Sequence, residues 1–436
     1  MLPPSGQDFT AIEVSHHINR SARDHCTLSA RARKSLIRAF KYIGPAFVVS
    51  VAYMDPGNFA TNITAGSRFN YSLIWVILWS NLFAIFLQTL SAKLGIATGE
   101  SLPEHCRKLF SRRTNWFLWT VSMLAAAATE LAEVLGGALG FYLLFGIPLT
   151  LGALLTVAIS CGILALGRYG QEKVELAISG LLGIIGISYV IELFLCDPDW
   201  PAIFRHTLVP YIESSSLLVA AGMLGATVMP HVIFLHSHLV KGKRNANPET
   251  QEEHLSMEKI DVLFAMNVAF LINGAMVVVS AATFFSRGIV VDSIELAHQT
   301  LRPLLGNLSS VAFATALLAS GLSSSAVGAY AGEVIIGGFV ESGIPIWTRR
   351  VLTIVPGLLI ISLRLNPVEV LVLSQVTLSF ALPAAVIPLL LVTGRREIMG
   401  RFANSTLTSL IGWIVVALII GLNGALLYCT LFHRTW

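Results

Sequence analysis

Apolar stretches of about 20 residues recur along almost the whole chain, and they constrain its fold more than any other feature. A helix of that length spans the hydrocarbon core of a bilayer. Only 12% of the 436 residues are charged, about half the share found in soluble globular proteins. The sequence therefore predicts an all-α, polytopic membrane protein and argues against a water-soluble multidomain enzyme. The eleven predicted spans lie near residues 42–65, 72–96, 115–144, 147–167, 174–196, 214–240, 260–284, 304–340, 347–364, 367–393 and 405–432.

The distribution of Lys and Arg predicts the orientation of these spans. The polar tail at 1–41 and the loops after the even-numbered spans carry 23 of the 29 basic residues. Because basic residues concentrate on the cytoplasmic side, we expect a cytoplasmic N-terminus and, with eleven spans, an extracytoplasmic C-terminus. The net charge of +4 then reflects topology rather than binding to nucleic acid. The five scattered cysteines form no C-x-x-C pair, so neither a disulfide framework nor a thiolate metal site is expected.

Two of the spans are interrupted by the same short pattern. Span 1 contains AYMDPGNFATN at residues 52–62, and span 6 contains ATVMPHVIFLH at residues 226–236. Both fit Ala-x-x-x-Pro, and the two copies are 174 positions apart. An internal repeat of about five spans would pair span 6 with span 1, and because five is odd the second copy would be inverted. Corresponding interrupted helices in two inverted halves point to the binding site of a transporter.

Each proline in these patterns frees a backbone oxygen. Proline has no N–H, so it cannot donate to the carbonyl four residues earlier. Pro56 thus frees the carbonyl of Ala52, and Pro230 frees that of Ala226. A free carbonyl is costly in lipid and is tolerated where it lines a cavity. Each break is therefore predicted to offer an oxygen atom to a cation.

Side chains beside the two breaks complete a predicted metal site. Asp55 precedes the first proline, and a carboxylate in mid-span costs about 3 kcal/mol, which makes it a functional hypothesis by default. The alternative role of Asp55 is an N-cap for the second half-helix, and the two roles are compatible. Asn58 adds a neutral oxygen. Met229 occupies the repeat-equivalent place of Asp55 and adds a thioether, although alone it would be interpreted as a core methionine.

The thioether decides the predicted class of metal. Mg²⁺ and Ca²⁺ prefer hard oxygen ligands, whereas softer transition metals accept sulfur. One carboxylate, two carbonyls, an amide and a thioether suit Mn²⁺ or Fe²⁺, with Cd²⁺ as a toxic passenger.

Three titratable residues within the spans are candidates for a proton pathway. His231 lies two residues after Met229 and has a side chain that titrates near physiological pH, although a lone helix histidine is usually structural. Glu130 and Glu133 are three residues apart, on one face of span 3. Two carboxylates in mid-span are hard to explain by packing, so we predict that they conduct protons or ions.

The motifs resemble those of the Nramp family of proton-coupled metal transporters, close to its bacterial manganese importers. The matching residues are DPGN at 55–58 and MPH at 229–231, and the likeness covers about residues 40–432. The resemblance implies the leucine-transporter fold, with a five-helix repeat at 42–196, a second, inverted repeat at 214–393 and an extra eleventh helix at 405–432.

The resemblance also implies a ligand set for the metal. Asp55, Asn58, Met229 and the carbonyls of Ala52 and Ala226 would coordinate it. Gln375, in span 10, matches a family position that joins the site in some conformations.

Further roles for polar residues rest on the same resemblance. Arg349 and Arg350, which open span 9, match an arginine pair at the inner end of the proton route, and positive-inside anchoring explains them nearly as well. Family members often have Asp where this chain has Glu130. Six other polar residues match positions that form gating hydrogen bonds, and such residues also hold membrane helices together. They are Asn81, Gln88, Thr129, Thr227, Asn273 and Asn423.

The sequence thus predicts proton-coupled import of Mn²⁺, with Fe²⁺ and Cd²⁺ as further substrates, across the plasma membrane by alternating access. The metal is cargo, so no cofactor is expected, and a monomer is the expected unit. The alternative is a sodium- or proton-coupled transporter of another small solute on the same fold, which would have Gly-rich breaks without a thioether. An ion channel fits the repeat less well than alternating access. An intramembrane metalloprotease would need H-E-x-x-H or an equivalent dyad, and we find none, so an enzyme is not expected.

Overall fold

Helices make up all the regular secondary structure in the part of the chain that the structure describes. This computed structural model describes residues 44–211, 213–244, 247–340 and 365–432, together with residues 355, 359 and 363. In chain order the α-helices are α1 (Pro45–Ala52), α2 (Pro56–Phe69), α3 (Ile74–Thr98), α4 (Leu102–Leu109), α5 (Arg112–Phe145), α6 (Leu149–Ala165), α7 (Gln171–Leu195), α8 (Trp200–Leu208), α9 (Leu217–Thr227), α10 (Pro230–Leu239), α11 (Pro248–Thr283), α12 (Ile294–Leu305), α13 (Asn307–Phe339), α14 (Pro367–Ala381), α15 (Pro383–Thr393), α16 (Arg396–Met399) and α17 (Thr406–Phe432).

The helices reproduce the predicted membrane spans closely. Within the described ranges, nine helical stretches are long and apolar enough to cross a membrane, and they correspond to predicted spans 2–8, 10 and 11. Span 1 is divided into α1 and α2, which have only 8 and 14 residues. The all-α, polytopic fold class is therefore confirmed. Predicted span 9, at 347–364, apart from residues 355, 359 and 363, and the N-terminal tail, at 1–41, lie outside the described residues.

The connections contain more helix than the sequence predicted. Helices α4, α8, α12 and α16 lie between or beside spans. The charged segment at 241–259 lies between predicted spans 6 and 7, yet α11 already begins at Pro248. The reason is local: the Asn247 side chain accepts a hydrogen bond of 3.0 Å from the Glu249 N–H, and proline is favoured in the first turn of a helix. A strong start signal thus overrides the charge of the segment.

The span-10 stretch is also interrupted, although the sequence pattern predicted it to be continuous. Helix α14 ends at Ala381 and α15 begins at Pro383. Pro383 has no N–H to continue the helical ladder, and Leu382 instead donates to the Ser379 carbonyl at 3.3 Å. The result is a short local break about two turns after Gln375.

Small residues allow the central helices to approach each other closely. A Cβ atom on Gly321 of α13 would lie 2.4 Å from the backbone nitrogen of Gly137 on α5. Membrane helices associate through such small-residue contacts, because burial from lipid provides little driving force. The SGLSSSAVG run at 320–328, to which Gly321 belongs, supplies such a packing surface on α13. Helices α5 and α13 together form the wall against which the first break packs.

We predict that Gly321→Ala destabilises the protein. The added methyl group has no space against the Gly137 backbone, and overpacking of this kind costs about 1–3 kcal/mol. The apparent Tm of the detergent-solubilised protein, followed by size-exclusion chromatography after heating, should fall by several degrees. The control is Gly274→Ala on α11, where a Cβ atom would meet nothing within 4 Å. Equal Tm values for the two variants would contradict the tight α5–α13 contact.

Candidate metal-binding site

The two predicted helix breaks are present, and each ends at a proline. Helix α1 ends at Ala52 and α2 begins at Pro56, so three residues are non-helical. Helix α9 ends at Thr227 and α10 begins at Pro230. Asp55 and Met229 are the N-cap residues of α2 and α10, respectively, and both are fully buried. The sequence offset of 174 therefore pairs structurally equivalent positions.

The Asp55 carboxylate organises the first break. Its Oδ1 atom accepts hydrogen bonds from the backbone N–H of Asn58 at 2.7 Å and from Asn58 Nδ2 at 3.0 Å. Its Oδ2 atom accepts a hydrogen bond from Gln375 Nε2 at 3.3 Å. Asp55 is therefore the N-cap that the alternative interpretation proposed. The same carboxylate also joins α2 to α14 across 320 positions of sequence.

Asn58 connects the first break to the second. Its Nδ2 atom donates to the carbonyl oxygen of Ala226 at 3.2 Å, one of the two oxygens that the prolines were predicted to free. The side chains of Asp55, Asn58 and Gln375 and the Ala226 carbonyl thus form one continuous buried set. The two motifs, 174 positions apart, predicted that Asp55 and Asn58 lie beside Ala226, whereas Gln375 was expected only from the family resemblance.

Two side-chain oxygens in this set have no hydrogen-bond partner among the described residues. They are Asn58 Oδ1 and Gln375 Oε1, and both side chains are buried. A buried polar atom without a partner is costly, and such an atom in a native structure calls for a specific explanation. A cation that accepts electron pairs from both amide oxygens would supply one.

Glycines let α14 reach the two breaks. A Cβ atom on Gly57 would lie 1.7 Å from Gln375 Nε2, and one on Gly225 would lie 2.0 Å from the Gln375 carbonyl oxygen. No larger residue fits at either position without displacing Gln375. The placement of Gln375 between the breaks therefore depends on one glycine beside each break, Gly57 in α2 and Gly225 in α9.

The remaining carbonyls of the first break are already bonded. Asn273 Nδ2 donates to the Tyr53 carbonyl at 2.7 Å, and Ser320 Oγ donates to the Met54 carbonyl at 2.6 Å. The Asn273 side chain in turn accepts a hydrogen bond from Asn62 Nδ2 at 2.7 Å. Ala52 differs, because the residue that would donate to its carbonyl in a continuous helix is Pro56. Helical geometry thus singles out Ala52 as the predicted backbone ligand.

Sequence reasoning missed Tyr53 and the polar chain attached to it. The Tyr53 hydroxyl accepts a hydrogen bond from Gln88 Nε2. Gln88 Oε1 contacts His236 Nδ1 at 2.9 Å, and His236 Nε2 contacts Glu258 at 3.1 Å. Glu258 also accepts from Lys243 Nζ at 2.7 Å. Tyr53 stands inside the first motif, but no local pattern predicted that it pairs with span 2. Ser320, whose hydroxyl bonds the Met54 carbonyl, was not among the predicted site residues either.

The predicted proton-pathway residues lie beside the first break. Glu130 Oε1 accepts a hydrogen bond from Ser325 at 3.4 Å. Glu133 packs so closely on α13 that a Cβ atom on Gly328 would lie 2.3 Å from its Oε2 atom. One turn further along α5, a Cβ atom on Gly136 would lie 2.0 Å from Pro56 Cβ. Both carboxylates are buried. They lie on α5, the helix whose Gly136 packs against Pro56 at the first break.

His231 reaches the same helix from the second break. Its Nδ1 atom lies 3.4 Å from Thr129 Oγ1, and its Nε2 atom has no hydrogen-bond partner among the described residues. Thr129 directly precedes Glu130 in sequence. Arg349 and Arg350, the predicted inner end of the route, lie outside the described residues.

The six predicted gating residues are all buried, and four of them adjoin the site. Gln88 and Asn273 hold Tyr53, and Thr129 contacts His231. Thr227 is the last residue of α9 and follows Ala226 directly. Asn423 lies apart from these: it exchanges hydrogen bonds of 2.8 Å with the hydroxyl and the carbonyl of Ser379. The sixth residue, Asn81, is in the middle of α3.

The donors gathered here differ from those of a histidine or cysteine metal site. Among the described residues, no group of three or more His, Cys, Asp or Glu residues is arranged to hold a metal ion. The donors at the breaks are one carboxylate, two amides, backbone carbonyls and a thioether. Such a set carries one negative charge. A bound divalent cation would therefore keep a net charge of +1 together with its ligands.

We predict that Asp55→Asn separates the structural role of Asp55 from its charge. Asparagine caps helices about as well as aspartate, whereas Asp→Ala at an N-cap costs about 1 kcal/mol. Asp55→Asn should therefore keep the wild-type Tm, and Asp55→Ala should lower it. Both should weaken Mn²⁺ binding by about 100-fold or more, since the only carboxylate at the breaks is lost.

Isothermal titration calorimetry in detergent measures the affinity, and the Tm of the same samples controls for folding. Full Mn²⁺ binding by either variant would show that Asp55 is only a cap.

Comparisons with known proteins agree with the features of the two breaks. The family model described as "Natural resistance-associated macrophage protein-like" matches residues 46–429. The divalent metal cation transporter MntH of Clostridium acetobutylicum is 57% identical over 418 residues, which cover 94% of this chain and 97% of that protein. The crystal structure of an Eremococcus coleocola manganese transporter has a TM-score of 0.79 at 31% identity, and covers 89% of this chain and 85% of that one.

A more distant structure bears on the fold alone. Mhp1, a nucleobase-cation-symport-1 family transporter, has a TM-score of 0.61 at 20% identity and covers 88% of this chain. This likeness confirms the predicted leucine-transporter type of fold. The relatives named above are all transporters, which confirms the prediction that the chain is not an enzyme. The match over residues 46–429 and the high identity to the bacterial relative show that the chain is a multi-pass membrane protein and a member of the Nramp family.

Proposed function

We propose that this protein imports divalent transition metal ions, with Mn²⁺ as the main substrate, by proton-coupled alternating access across the plasma membrane. Fe²⁺ and Cd²⁺ are further substrates in this proposal, and the metal is cargo rather than a resident cofactor. The observation that carries the proposal is the buried set at the two breaks, where Asp55 stands with two unpartnered amide oxygens of Asn58 and Gln375.

The donor set supports a transition metal rather than Mg²⁺ or Ca²⁺. Met229 lies fully buried at the second break, at the place equivalent to Asp55. A thioether is a soft ligand, and hard divalent ions gain little from it. The names of the relatives agree with this chemistry, since one is a divalent metal cation transporter and another a manganese transporter.

The hydrogen bonds at the breaks suggest how the site responds to a metal. In the structure, Asn58 Nδ2 donates hydrogen bonds to both Asp55 Oδ1 and the Ala226 carbonyl oxygen, so the NH₂ group lies between these two oxygens. A cation placed there would attract the Asn58 oxygen and displace its nitrogen. Gln375 would turn in the same way, because its nitrogen now donates to Asp55. Metal binding would thus exchange three weak hydrogen bonds for direct coordination.

The proposed proton route begins beside the metal site and follows α5. Glu133 lies near enough to Asp55 and Glu130 to interact electrostatically with both. Because Asp55 carries a charge before the metal binds, the proton in this proposal enters the route at Glu133 and Glu130, two carboxyl groups close enough to pass it between them. His231, against Thr129, offers a second acceptor on the side of the second break.

The direction of transport rests on the orientation proposed from the charge distribution. With 23 of the 29 basic residues at one end, that end is cytoplasmic. The ends of α2 and α11 at Phe69 and Thr283 then face outward. A transporter of another small solute on the same fold remains the alternative, and the buried carboxylate and thioether at equivalent places count against it.

We predict that Met229→Ala broadens ion selectivity. Without the thioether the site retains only oxygen donors, which Ca²⁺ and Mg²⁺ accept, so inhibition of Mn²⁺ uptake by Ca²⁺ should strengthen by about tenfold. Uptake into proteoliposomes with competing ions measures this change. The matched control is Met223→Ala, which truncates a buried methionine of α9 that belongs to a different cluster. Unchanged competition in Met229→Ala would show that the sulfur is not the filter.

We also predict that Mn²⁺ uptake acidifies the vesicle interior and that Glu133→Gln reduces the number of protons moved per metal ion. The amide keeps the shape of the side chain but cannot carry a proton as a carboxyl group does. A pH-sensitive dye inside the vesicles and radioactive Mn²⁺ give both fluxes. Glu253→Gln, at an exposed position of α11, is the control. Mn²⁺ uptake by wild-type protein without any change of internal pH would contradict proton coupling.

A further inference from the structure

A buried carboxylate outside the metal site has no place in the proposed mechanism. Glu192 lies in α7 and is 1% exposed, and its Oε1 atom has no hydrogen-bond partner among the described residues. Tyr189 lies one turn earlier on the same face, is also buried, and its hydroxyl likewise has no partner there. Ionisable residues within membrane spans are costly and mark ion pathways by default. Two buried oxygens on one face of α7, both without a partner among the described residues, need an explanation beyond packing.

These two residues face a common small cavity. Its volume is about 10 Å³ and its lining includes Tyr189, Glu192 and Met276 of α11. The Met276 sulfur is held in place by a hydrogen bond of 3.5 Å from Asn62 Nδ2. The Glu192 carboxylate, the Tyr189 hydroxyl and the Met276 thioether therefore belong to residues that line one cavity. The carboxylate and the thioether are the same two donor classes that stand at the helix breaks.

Phe59 packs against two of the residues that line the cavity. It follows Asn58 directly in α2 and is fully buried. Its ring lies 5.6 Å from that of Tyr189 and 6.2 Å from that of Phe313, measured between ring centroids. Tyr189 and Phe313 both line the cavity. Phe59 therefore connects the lining of the cavity to the helix turn that carries Asn58.

The position of the cavity along the helices places it on the route from outside. Its lining includes Ile63, a little more than one turn beyond Phe59 toward the end of α2, and Phe284, which directly follows α11. Both helix ends belong to the face that carries few basic residues, which the proposed orientation makes external. An ion that enters from that face and moves toward Asp55 would pass Glu192 before it reaches Phe59.

We propose that Glu192, together with Tyr189 and Met276, forms an outer waiting site that binds the incoming divalent transition metal ion before it reaches Asp55. This inference rests on the proposed function. In the described arrangement the cavity has room for about one water molecule, so the ion occupies it when the outer face is open. The Glu192 carboxylate replaces part of the water that the ion loses on entry. It also raises the local concentration of the ion next to Phe59. The outer site acts on capture of the ion, not on the later inward step.

The central test is Mn²⁺ uptake into proteoliposomes by Glu192→Gln, which removes the charge and keeps the size of the side chain. We expect the KM for Mn²⁺ to rise about tenfold with little change in the maximal rate, since the lost interaction precedes the rate-limiting steps. Tyr189→Phe removes only the hydroxyl oxygen and should raise the KM in the same direction by a smaller factor. The matched control is Glu172→Gln, which neutralises an exposed glutamate at the other end of α7 and should leave the KM unchanged.

Two outcomes would overturn the outer site. A Glu192→Gln protein with the wild-type Tm and an unchanged KM would show that the ion does not bind there. A variant with an unchanged KM but a shifted dependence of uptake on external pH would assign Glu192 to protons and not to metal. Wild-type uptake in the same vesicles reports the proposed function separately: its presence with an unchanged Glu192→Gln KM overturns the outer site alone, and its absence overturns both.

If Glu192→Gln lowers the Tm, uptake no longer separates binding from folding, and a binding measurement tests the outer site instead. Full-length Asp55→Asn protein lacks the central charge, so Mn²⁺ that it still binds, detected by electron paramagnetic resonance, reports other sites. We expect weak residual binding that Glu192→Asp retains and Glu192→Gln removes. Residual binding that survives Glu192→Gln, or no residual binding at all, contradicts the proposal.

Discussion

The buried carboxylate of Asp55 is the constraint on which the rest of the structure depends. A charge at this depth is tolerated only if other groups compensate it. Asn58 does so from the same helix, and Gln375 does so from α14. Asn58 then extends the set to the Ala226 carbonyl of the second break. A single charged group therefore fixes three segments that are far apart in sequence, and it does so at the point where two helices lack their own hydrogen bonds.

Close backbone contacts make this arrangement possible. Gln375 lies against Gly57 and Gly225, and Pro56 lies against Gly136. In lipid, helices gain little from burying apolar surface, so contacts between small residues and buried hydrogen bonds must hold them together. The same glycines leave no space for larger side chains around Asp55. The site is consequently lined by backbone and by short polar groups, which are the donors that a partly dehydrated cation can use.

The environment of the breaks also separates structural oxygens from available ones. The Tyr53 and Met54 carbonyls are bonded by Asn273 and Ser320. The Ala52 carbonyl has lost its usual donor because of Pro56. Proline chemistry thus selects the oxygen, and the surrounding helices protect the others. The cavity at Glu192 is lined by residues with a carboxylate and a thioether, the donor classes found at the helix breaks, and in the proposed pathway it holds the incoming ion first.

The sequence by itself determined the spans, both helix breaks and the residues Asp55, Asn58 and Met229, because each of these follows from rules that act over a few residues. Apolar length, a missing proline N–H and a cap at the start of a helix are all local properties. The tertiary structure alone decided that Gln375 touches Asp55, that Ser320 and Asn273 hold the first break, and that Tyr53 begins a chain through Gln88 and His236. It also brought Glu192 and Met276 to one cavity. These contacts join residues 35 to 320 positions apart, and no sequence period encodes such distances, since they arise from how the finished helices pack.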